Sequence, residues 1–311
     1  MKKKAANQIY TLADLQRWKA INPPIRLGVL GDPVAHSLSP QIQNAALEAC
    51  KIDMQYGRFQ ISPTDLGEAL KLIRALDFVG GNLTVPHKIA ACAFVHEIEE
   101  NAKRIGAINT IKMEKAKLRG YNTDGRGFAR AIRQEFAVDL RDLRVMLLGA
   151  GGAARAIAFQ CAKENCERLV IANRTVEKAK QLTEELRDYF AGPRVLGPVA
   201  RLQAIPWEEP SIRFQIAHLD LIVNATPLGL NRSDLSPIPA RLLAPHLMIY
   251  DTVYGDSRTG FVSAAVEAGA RAANGLTMLL HQGALAFEIW FEREAPIEVM
   301  RQALQRGVLS P

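Results

Sequence analysis

The chain contains 311 residues, 48% of them hydrophobic and 23% charged, and it carries a formal net charge of +7. This length exceeds what one hydrophobic core usually serves, so two domains of an ordinary soluble globular protein are expected. Four cysteines without a C-x-x-C pair or a metal-ligand spacing favour reduced thiols, a cytoplasmic location and no metal, and the lack of 18 consecutive apolar residues argues against membrane insertion.

Predicted strands and helices alternate along the first part of the chain. Residues 1–24 form an extension with a short helix at 12–19. Strands are expected at 26–30, 54–60 and 81–85, and helices at 40–50, 63–76, 87–95 and 99–105, before a hairpin that ends at Tyr121. This order predicts an α/β layer with a largely parallel sheet.

The positive charge is scattered along the chain. Basic residues lie on the hairpin between residues 112 and 119, and Arg126, Arg130 and Arg133 share a helix face with acidic neighbours. Because no aromatic side chains are interleaved with them, nucleic-acid binding is not expected. A modest positive field would instead attract a polyanionic cofactor or a carboxylate substrate.

A helix at 126–136 leads into a second α/β unit. Its strands are expected at 144–148, 168–172, 219–224, 248–251 and 271–274. The proline-containing segment 192–210 is predicted to be irregular or inserted. The apolar helix 278–291 carries residues that belong with the first half and is expected to return there. The first domain is therefore predicted to be discontinuous, with residues 25–123 plus 276–311, and a second domain at 124–275 inserted in it.

A glycine-rich turn follows the first strand of this second unit. Gly149 permits a tight turn, while Gly151 and Gly152 let backbone N–H groups approach a pyrophosphate. The helix that begins at Ala153 directs its positive end toward that anion. Residues Gly149, Ala150, Gly151, Gly152 and Ala153 are therefore predicted to bind a dinucleotide.

The end of the next strand indicates which dinucleotide binds. NAD-binding proteins place an Asp or Glu there to bind the ribose 2′-hydroxyl, whereas this chain has Asn173, Arg174 and Thr175, with Lys178 one turn later. These side chains suit a 2′-phosphate, so NADP is predicted. The alternative is that Arg174 is simply a solvated residue at a strand end.

Four polar clusters lie on loops or at strand ends, where the carboxyl ends of parallel strands form a binding crevice. They are His36–Pro40, Asn82–Lys88, Gly106–Thr110 and Tyr121–Gly125. Together with G-A-G-G-A, N-R-T, N-A-T-P-x-G and a C-terminal G-L-x-M-L-x-x-Q, these clusters follow the order found in the shikimate dehydrogenase family, which the chain resembles over roughly residues 26–292.

The resemblance implies an α/β substrate domain with a mostly parallel sheet, an inserted Rossmann NADP-binding domain, and reversible NADP-dependent reduction of 3-dehydroshikimate to shikimate. It also implies that Lys88 and Asp124 carry out proton transfer and contact a ring hydroxyl. Lys88 could instead be a surface charge at a helix start, and Asp124 the N-cap of the helix that follows it. The aspartate favours the charged lysine and burial disfavours it, so the sequence leaves the protonation state of Lys88 open.

The resemblance assigns further residues to the two ligands. Those implied for the substrate carboxylate are Ser37, Ser39 and Tyr254, and those for the ring hydroxyls are Thr84, Asn109 and Gln282. Those implied for the nicotinamide half of the cofactor are Thr226, Thr252, Gly275 and Met278. Ser39 could alternatively serve only as a helix N-cap before Pro40. His36 and His87 are interpreted as loop residues.

Two alternatives to this function stay open. The first is a quinate/shikimate dehydrogenase that uses NAD, and the second is a catalytically silent NADP-binding regulator. The segment Val253–Arg258 lacks the Asn-Pro that often follows the tyrosine in the family, which leaves the local loop shape open. A monomer or a homodimer is expected.

Overall fold

The computed structural model describes residues 8–19, 21–192, 199–231, 234–255 and 258–309, which divide into two compact units. The first contains the described residues up to Gly127 and those from Leu279 onward, and the second contains those from Phe128 to Met278. Because each unit combines helices with a sheet, the predicted α/β class is confirmed.

The regular elements are numbered in chain order. The strands are β1 (Ile9–Tyr10), β2 (Ile25–Gly31), β3 (Gln55–Gln60), β4 (Gly80–Leu83), β5 (Glu97–Ile98), β6 (Thr110–Glu114), β7 (Lys117–Tyr121), β8 (Arg144–Leu148), β9 (Arg168–Asn173), β10 (Leu202–Pro206), β11 (Leu221–Asn224), β12 (Met248–Asp251) and β13 (Arg271–Asn274). The α-helices are α1 (Leu12–Gln16), α2 (Ser39–Ala49), α3 (Leu66–Ala75), α4 (His87–Ala90), α5 (Glu100–Ile105), α6 (Asp124–Phe136), α7 (Gly152–Lys163), α8 (Val176–Phe190), α9 (Glu209–Ile216), α10 (Gly260–Glu267), α11 (Leu276–Phe291) and α12 (Ile297–Leu309).

The first unit is built on a seven-stranded sheet with the order β1-β3-β2-β4-β6-β7-β5. The half from β1 to β4 is parallel, as predicted, whereas β6 runs antiparallel to both β4 and β7. Two predicted helices are shorter than expected, because Pro63–Asp65 and Ala91–Ala93 form 3-10 turns beside α3 and α4. The helix α12, which packs against α2, was not predicted from the sequence.

The N-terminal extension forms part of the first unit's fold. The short strand β1, which was not predicted, pairs in parallel with β3. The helix α1 follows it, and its N-terminus is capped by a capping box formed by Thr11 and Asp14. Leu15 on α1 is 1% exposed, and an aromatic cluster packs beside it. The members of that cluster are Tyr10, Trp18, Phe59 and Phe78. The extension therefore covers the β3 edge of the sheet with apolar side chains.

This packing predicts a stability effect of the extension. Leu15→Ala should lower the free energy of unfolding by about 2 to 5 kcal/mol, because it removes a buried side chain and leaves a cavity. The exposed neighbour Gln16 provides the control, and Gln16→Ala should change stability by less than about 0.5 kcal/mol. Urea unfolding of both variants measures the difference. Equal stability of the two variants would show that the extension adds nothing to the fold.

The second unit contains a six-stranded, fully parallel sheet with the order β10-β9-β8-β11-β12-β13. This is the doubly wound order of dinucleotide-binding domains, in which the chain reverses direction across the sheet between the first and fourth strands, here β8 and β11. Ligands bind at the carboxyl ends of the strands at this reversal. The predicted glycine turn and the loop after β11 both lie there.

The prediction of an irregular segment at 192–210 is wrong for most of its described part. Residues 193–198 lie outside the described residues, but β10 forms the sheet edge beside β9, and α9 begins at Glu209. The prolines concealed this strand. Pro206 is the last residue of an edge strand, and Pro210 occupies the first turn of a helix, and both places tolerate proline.

Asp251 is a buried carboxylate at the end of β12. Its oxygens accept hydrogen bonds from Asn224 Nδ2 at 2.8 Å, Val253 N at 3.1 Å and Thr259 Oγ1 at 2.6 Å. Burial nevertheless raises the pKa of the Asp251 carboxyl above its ordinary value, because loss of water outweighs these donors.

A raised pKa in the folded state gives a defined pH dependence. Between the ordinary value of 3.8 and the higher folded value, the folded chain binds more protons at Asp251 than the unfolded chain. The contribution of Asp251 to stability is therefore present at low pH and is lost as the pH rises through this window. Between pH 4 and 7, urea unfolding should show that the free energy of unfolding of wild type falls relative to that of Asp251→Asn. Parallel curves would contradict the assignment.

Candidate active site

Lys88 and Asp124 form a largely buried ion pair in the first unit. The Lys88 Nζ lies 2.5 Å from Asp124 Oδ2, and the two side chains are 16% and 4% exposed. The interpretation of Lys88 as a surface charge is therefore wrong. The N-cap interpretation of Asp124 is wrong as well, because α6 begins at Asp124 itself and Asn122 Oδ1 accepts the hydrogen bond from the Asp124 backbone N–H at 3.0 Å.

Asn109 holds the other oxygen of Asp124. This residue is 1% exposed, and its Nδ2 group donates to Asp124 Oδ1 and Thr123 Oγ1, both at 2.8 Å, and to Gln282 Oε1 at 3.3 Å. The Asn109 Oδ1 accepts from the Thr123 backbone N–H at 2.8 Å. Lys88, Asn109, Asp124 and Gln282, which lie far apart in sequence, are thus brought into one hydrogen-bonded group.

The backbone fixes this group in place. The Ile108 N–H donates to the Lys88 carbonyl at 2.8 Å, and the Asn109 N–H donates to the Tyr121 carbonyl at 3.0 Å. These bonds tie α4 and the end of β7 to the segment that immediately precedes β6. Asn109 immediately precedes β6, so its side chain occurs where the hairpin starts.

His87 lies beside the lysine but is buried, not in a loop as interpreted from the sequence. It is the first residue of α4, is 1% exposed, and its Nε2 lies 2.8 Å from the Ile61 carbonyl. Burial lowers the pKa of His87, so the imidazole is held neutral with its Nε2–H donated to that carbonyl. His36 is exposed on a turn.

Ser37 and Ser39 lie at the start of α2. The helix begins at Ser39, and the N-cap position is Leu38, which makes no side-chain capping bond, so the N-cap interpretation of Ser39 is wrong. Instead the Ser39 N–H donates to Ser37 Oγ at 3.3 Å. Behind this turn, the buried Arg58 donates through Nη2 to the Ser37 carbonyl at 2.9 Å. A cation therefore lies behind the two predicted carboxylate-binding hydroxyls.

Thr84 lies between β4 and α4. Its N–H donates to the Leu30 carbonyl at 2.9 Å and its carbonyl accepts from the His87 N–H at 2.8 Å. A side chain on Gly31 would place its Cβ 2.3 Å from the Thr84 methyl group, so the end of β2 must be glycine for Thr84 to keep this position.

The glycine turn of the second unit has the geometry that phosphate binding requires. Gly149 has a φ of +110°, and a Cβ there would lie 2.9 Å from the Thr226 methyl group, whereas a Cβ on Gly151 would meet no atom within 4 Å. The helix α7 begins at Gly152, one residue before the prediction, and its N-cap residue, Gly151, has no side chain to cap the first N–H groups. The turn therefore presents open space and uncapped N–H groups, with Ala150 and Ala153 beside them, which suits a pyrophosphate.

The end of β9 is basic and exposed. Asn173 Nδ2 donates to the Thr175 carbonyl at 2.8 Å, and the side chains of Arg174, Thr175 and Lys178 are exposed. Within the described ranges, no hydrogen bond or ion pair ties Arg174 to another residue. Its guanidinium is thus available to an anion from solution.

The remaining candidates of the second unit gather at other strand ends. Thr226 Oγ1 donates to Asn224 Oδ1 at 2.7 Å after β11. A Cβ on Gly275 would lie 2.1 Å from the Thr252 carbonyl oxygen, so the chain after β13 passes close to the chain after β12. The Met278 N–H donates to Tyr250 Oη at 3.2 Å, and Tyr254 is half-buried in the loop after β12.

Several polar residues joined to these candidates were given no role by the sequence analysis. They are Tyr56, Arg58, Asn82, Thr110 and Thr123. The last three lie inside the quoted motifs, and Tyr56 and Arg58 share one face of β3 at a spacing of two. Their partners are distant in sequence, so that spacing alone does not indicate what they contact.

Among the residues described, no group of three or more His, Cys, Asp or Glu side chains is placed to hold a metal ion. Within the same ranges, no helix is both long and apolar enough to span a bilayer.

Three family models match the chain. The model of the shikimate dehydrogenase substrate binding domain matches residues 29–111, that of shikimate / quinate 5-dehydrogenase matches residues 130–196, and that of the shikimate 5′-dehydrogenase C-terminal domain matches residues 275–305.

Full-length relatives give the same result. The NADP(+)-dependent shikimate dehydrogenase of Methanopyrus kandleri is 41% identical over 280 residues, which cover 89% of this chain and 94% of the relative. The Thermus thermophilus shikimate 5-dehydrogenase, solved in complex with NADP(H) and shikimate, is 36% identical with a TM-score of 0.77 and covers 91% and 99% of the two chains. A shikimate dehydrogenase solved with NADP+ is 37% identical with a TM-score of 0.81, covering 91% and 95%. The chain belongs to the shikimate dehydrogenase family.

Proposed function

We propose that this protein catalyses the reversible, NADP-dependent reduction of 3-dehydroshikimate to shikimate. The observation that carries the proposal is the buried Lys88–Asp124 ion pair inside a group of hydrogen-bonding amides, within the unit that the substrate-domain model matches. The ligands named for the solved relatives, NADP(H) and shikimate, agree with it.

Lys88 carries out the proton transfer. NADPH supplies the hydride when bound, and the ring ketone then becomes an alkoxide that needs a proton. The Lys88 ammonium has three N–H donors and uses one on Asp124, so it can stabilise the developing negative charge and then give up a proton. Asp124 orients the lysine side chain through their 2.5 Å contact, and it accepts a hydrogen bond from a ring hydroxyl.

The other polar residues orient the substrate. Ser37 and Ser39 bind the carboxylate, which the positive charge of Arg58 behind their turn attracts, and Tyr254 adds a hydroxyl toward the same group. Thr84, Asn109 and Gln282 address the ring hydroxyls, since amides and hydroxyls both donate and accept. On this proposal, residues 25–123 plus 276–311 form the substrate domain and residues 124–275 the NADP domain.

The residues of the second unit fit NADP. The open glycine turn from Gly149 to Ala153 would hold the pyrophosphate, while Asn173, Arg174, Thr175 and Lys178 would hold the 2′-phosphate. The residues assigned to the nicotinamide half are Thr226, Thr252, Gly275 and Met278. A cytoplasmic monomer or homodimer without nucleic-acid partners completes the proposal, which the four free cysteines support.

Initial-rate measurements test this function. Shikimate and quinate are each assayed with NADP+ and NAD+, and the pair shikimate and NADP+ should give the highest kcat/KM. A preference for quinate with NAD+ would favour the alternative that the shikimate / quinate model name keeps open. No turnover with any pair would favour a silent regulator.

Replacing the proposed proton donor provides a sharper test. Lys88→Ala should lower kcat by roughly two to four orders of magnitude, because the alkoxide loses both its stabilising charge and its proton source. The shikimate KM should change much less. Lys71→Ala serves as the control, since it removes a lysine whose side chain is 76% exposed in the same unit. Ordinary turnover by folded Lys88→Ala protein would contradict the mechanism.

Arg174 should select the cofactor. Arg174→Ala should raise the KM for NADP+ by about 10- to 100-fold, because charge-assisted hydrogen bonds to the 2′-phosphate are lost, while NAD+ use and kcat at saturating NADP+ change little. High salt should narrow the difference from wild type. Arg187→Ala, which removes an exposed arginine near the other end of α8, is the control. An unchanged ratio of NADP+ to NAD+ use would show that Arg174 is only a solvated strand-end residue.

A further inference from the structure

A chain of buried hydrogen bonds connects Tyr56 on β3 with Asp124. Tyr56 Oη lies 2.8 Å from Asn82 Oδ1, and Asn82 Nδ2 lies 3.0 Å from Thr110 Oγ1. Thr110 Oγ1 lies 3.0 Å from Asn109 Oδ1, and Asn109 Nδ2 lies 2.8 Å from Asp124 Oδ1. All five residues are less than 6% exposed, so water does not compete for these bonds.

Every bond in this chain donates in the same direction. The tyrosine hydroxyl donates to the Asn82 carbonyl oxygen, and the Asn82 amide then donates to the threonine oxygen. Since Thr110 Oγ1 accepts this bond, its single proton is directed to Asn109 Oδ1. Together with the Thr123 backbone N–H, which donates to the same oxygen at 2.8 Å, the Thr110 hydroxyl keeps the N–H groups of the Asn109 amide turned toward Asp124. Hydrogen bonds aligned in this way polarise one another, which strengthens the last donor.

The orientation of Asn109 decides the state of the ion pair. With its amide reversed, Asn109 would place a carbonyl oxygen against Asp124 Oδ1, and the carboxylate would lose a donor and gain a repulsive contact. The other oxygen of Asp124 accepts from Lys88. The position of Asp124, and through it that of the Lys88 side chain, thus depends on the side chains that orient Asn109.

We propose that Tyr56, Asn82 and Thr110 are positioning residues for the reaction. They fix the Asn109 amide toward Asp124 and so hold Lys88 in the correct position relative to the substrate. The inference rests on the proposed function. It adds to the set on which turnover depends three buried residues that are linked to Asp124 through Asn109.

Thr110→Val and Thr110→Ser form the matched pair that tests the proposal. The valine has nearly the same shape without the hydroxyl, so kcat with shikimate should fall about 10- to 100-fold while the KM for NADP+ stays within about twofold. The serine keeps the hydroxyl and should restore kcat to within about threefold of wild type. Rates are measured at a temperature where circular dichroism shows all variants folded.

The possible outcomes distinguish a failure of the positioning role from a failure of the proposed function. If wild type turns over shikimate and folded Thr110→Val keeps its kcat within twofold, the positioning role is overturned. If Thr110→Val loses thermal stability but not kcat, the hydroxyl is only structural and the role is likewise overturned. If wild type itself does not turn over shikimate, it is the proposed function that fails.

Tyr56→Phe keeps the test decisive if Thr110→Val does not fold. Phenylalanine preserves the contact between this ring and that of Trp290, whose centroids lie 6.1 Å apart. It removes only the first donor of the hydrogen-bond chain. Because it lies four bonds from Asp124, the loss of kcat should be smaller, about 3- to 10-fold, again with an unchanged KM for NADP+. An unchanged kcat would overturn the proposal.

Discussion

The first unit is organised around the cost of burying two opposite charges. Removing a lysine and an aspartate from water is unfavourable, and their mutual attraction offsets this only when the remaining lone pairs and protons also find partners. Asp124 has such partners in Lys88 on one oxygen and Asn109 on the other. Asn109 in turn needs acceptors and donors of its own, which Thr123, Thr110 and Gln282 supply. The polar interior of this unit can therefore be understood as the set of groups that one buried carboxylate requires.

The second unit differs from the first because its predicted ligand-binding groups are accessible to solvent. Its predicted binding features are a helix start at Gly152 and the Arg174 guanidinium at a strand end, which is exposed and pairs with no residue in the described ranges. Such groups remain hydrated until an anion replaces the water, so the fold bears little desolvation cost for them. Its polar network around Asp251 lies at the end of β12, where three donors hold a carboxylate whose burial opposes its charge.

The sequence predicted what depends on local pattern. Apolar strands, the glycine turn and the basic end of β9 occur where expected, because residues close in sequence determine each of them. The predictions that were wrong involve distant partners. β1 is too short to be recognised without β3 beside it, and β10 is concealed by prolines that only an edge position tolerates. In the sequence Asp124 resembles an N-cap, yet α6 begins at Asp124 itself and the side chain contacts Lys88, which lies 36 residues earlier in the chain.

The contact between α2 and α12 has a consequence for how the protein is made. The helix that begins at Ser39 packs against the last helix of the chain, and the whole second unit is encoded between them. A ribosome therefore synthesises all of the second unit before the residues that cover α2 emerge. The nascent first unit keeps an apolar helix face uncovered throughout that interval, at elongation rates of about 5 to 20 residues per second. The second unit can therefore complete its fold during translation before the residues that complete the first unit have been synthesised.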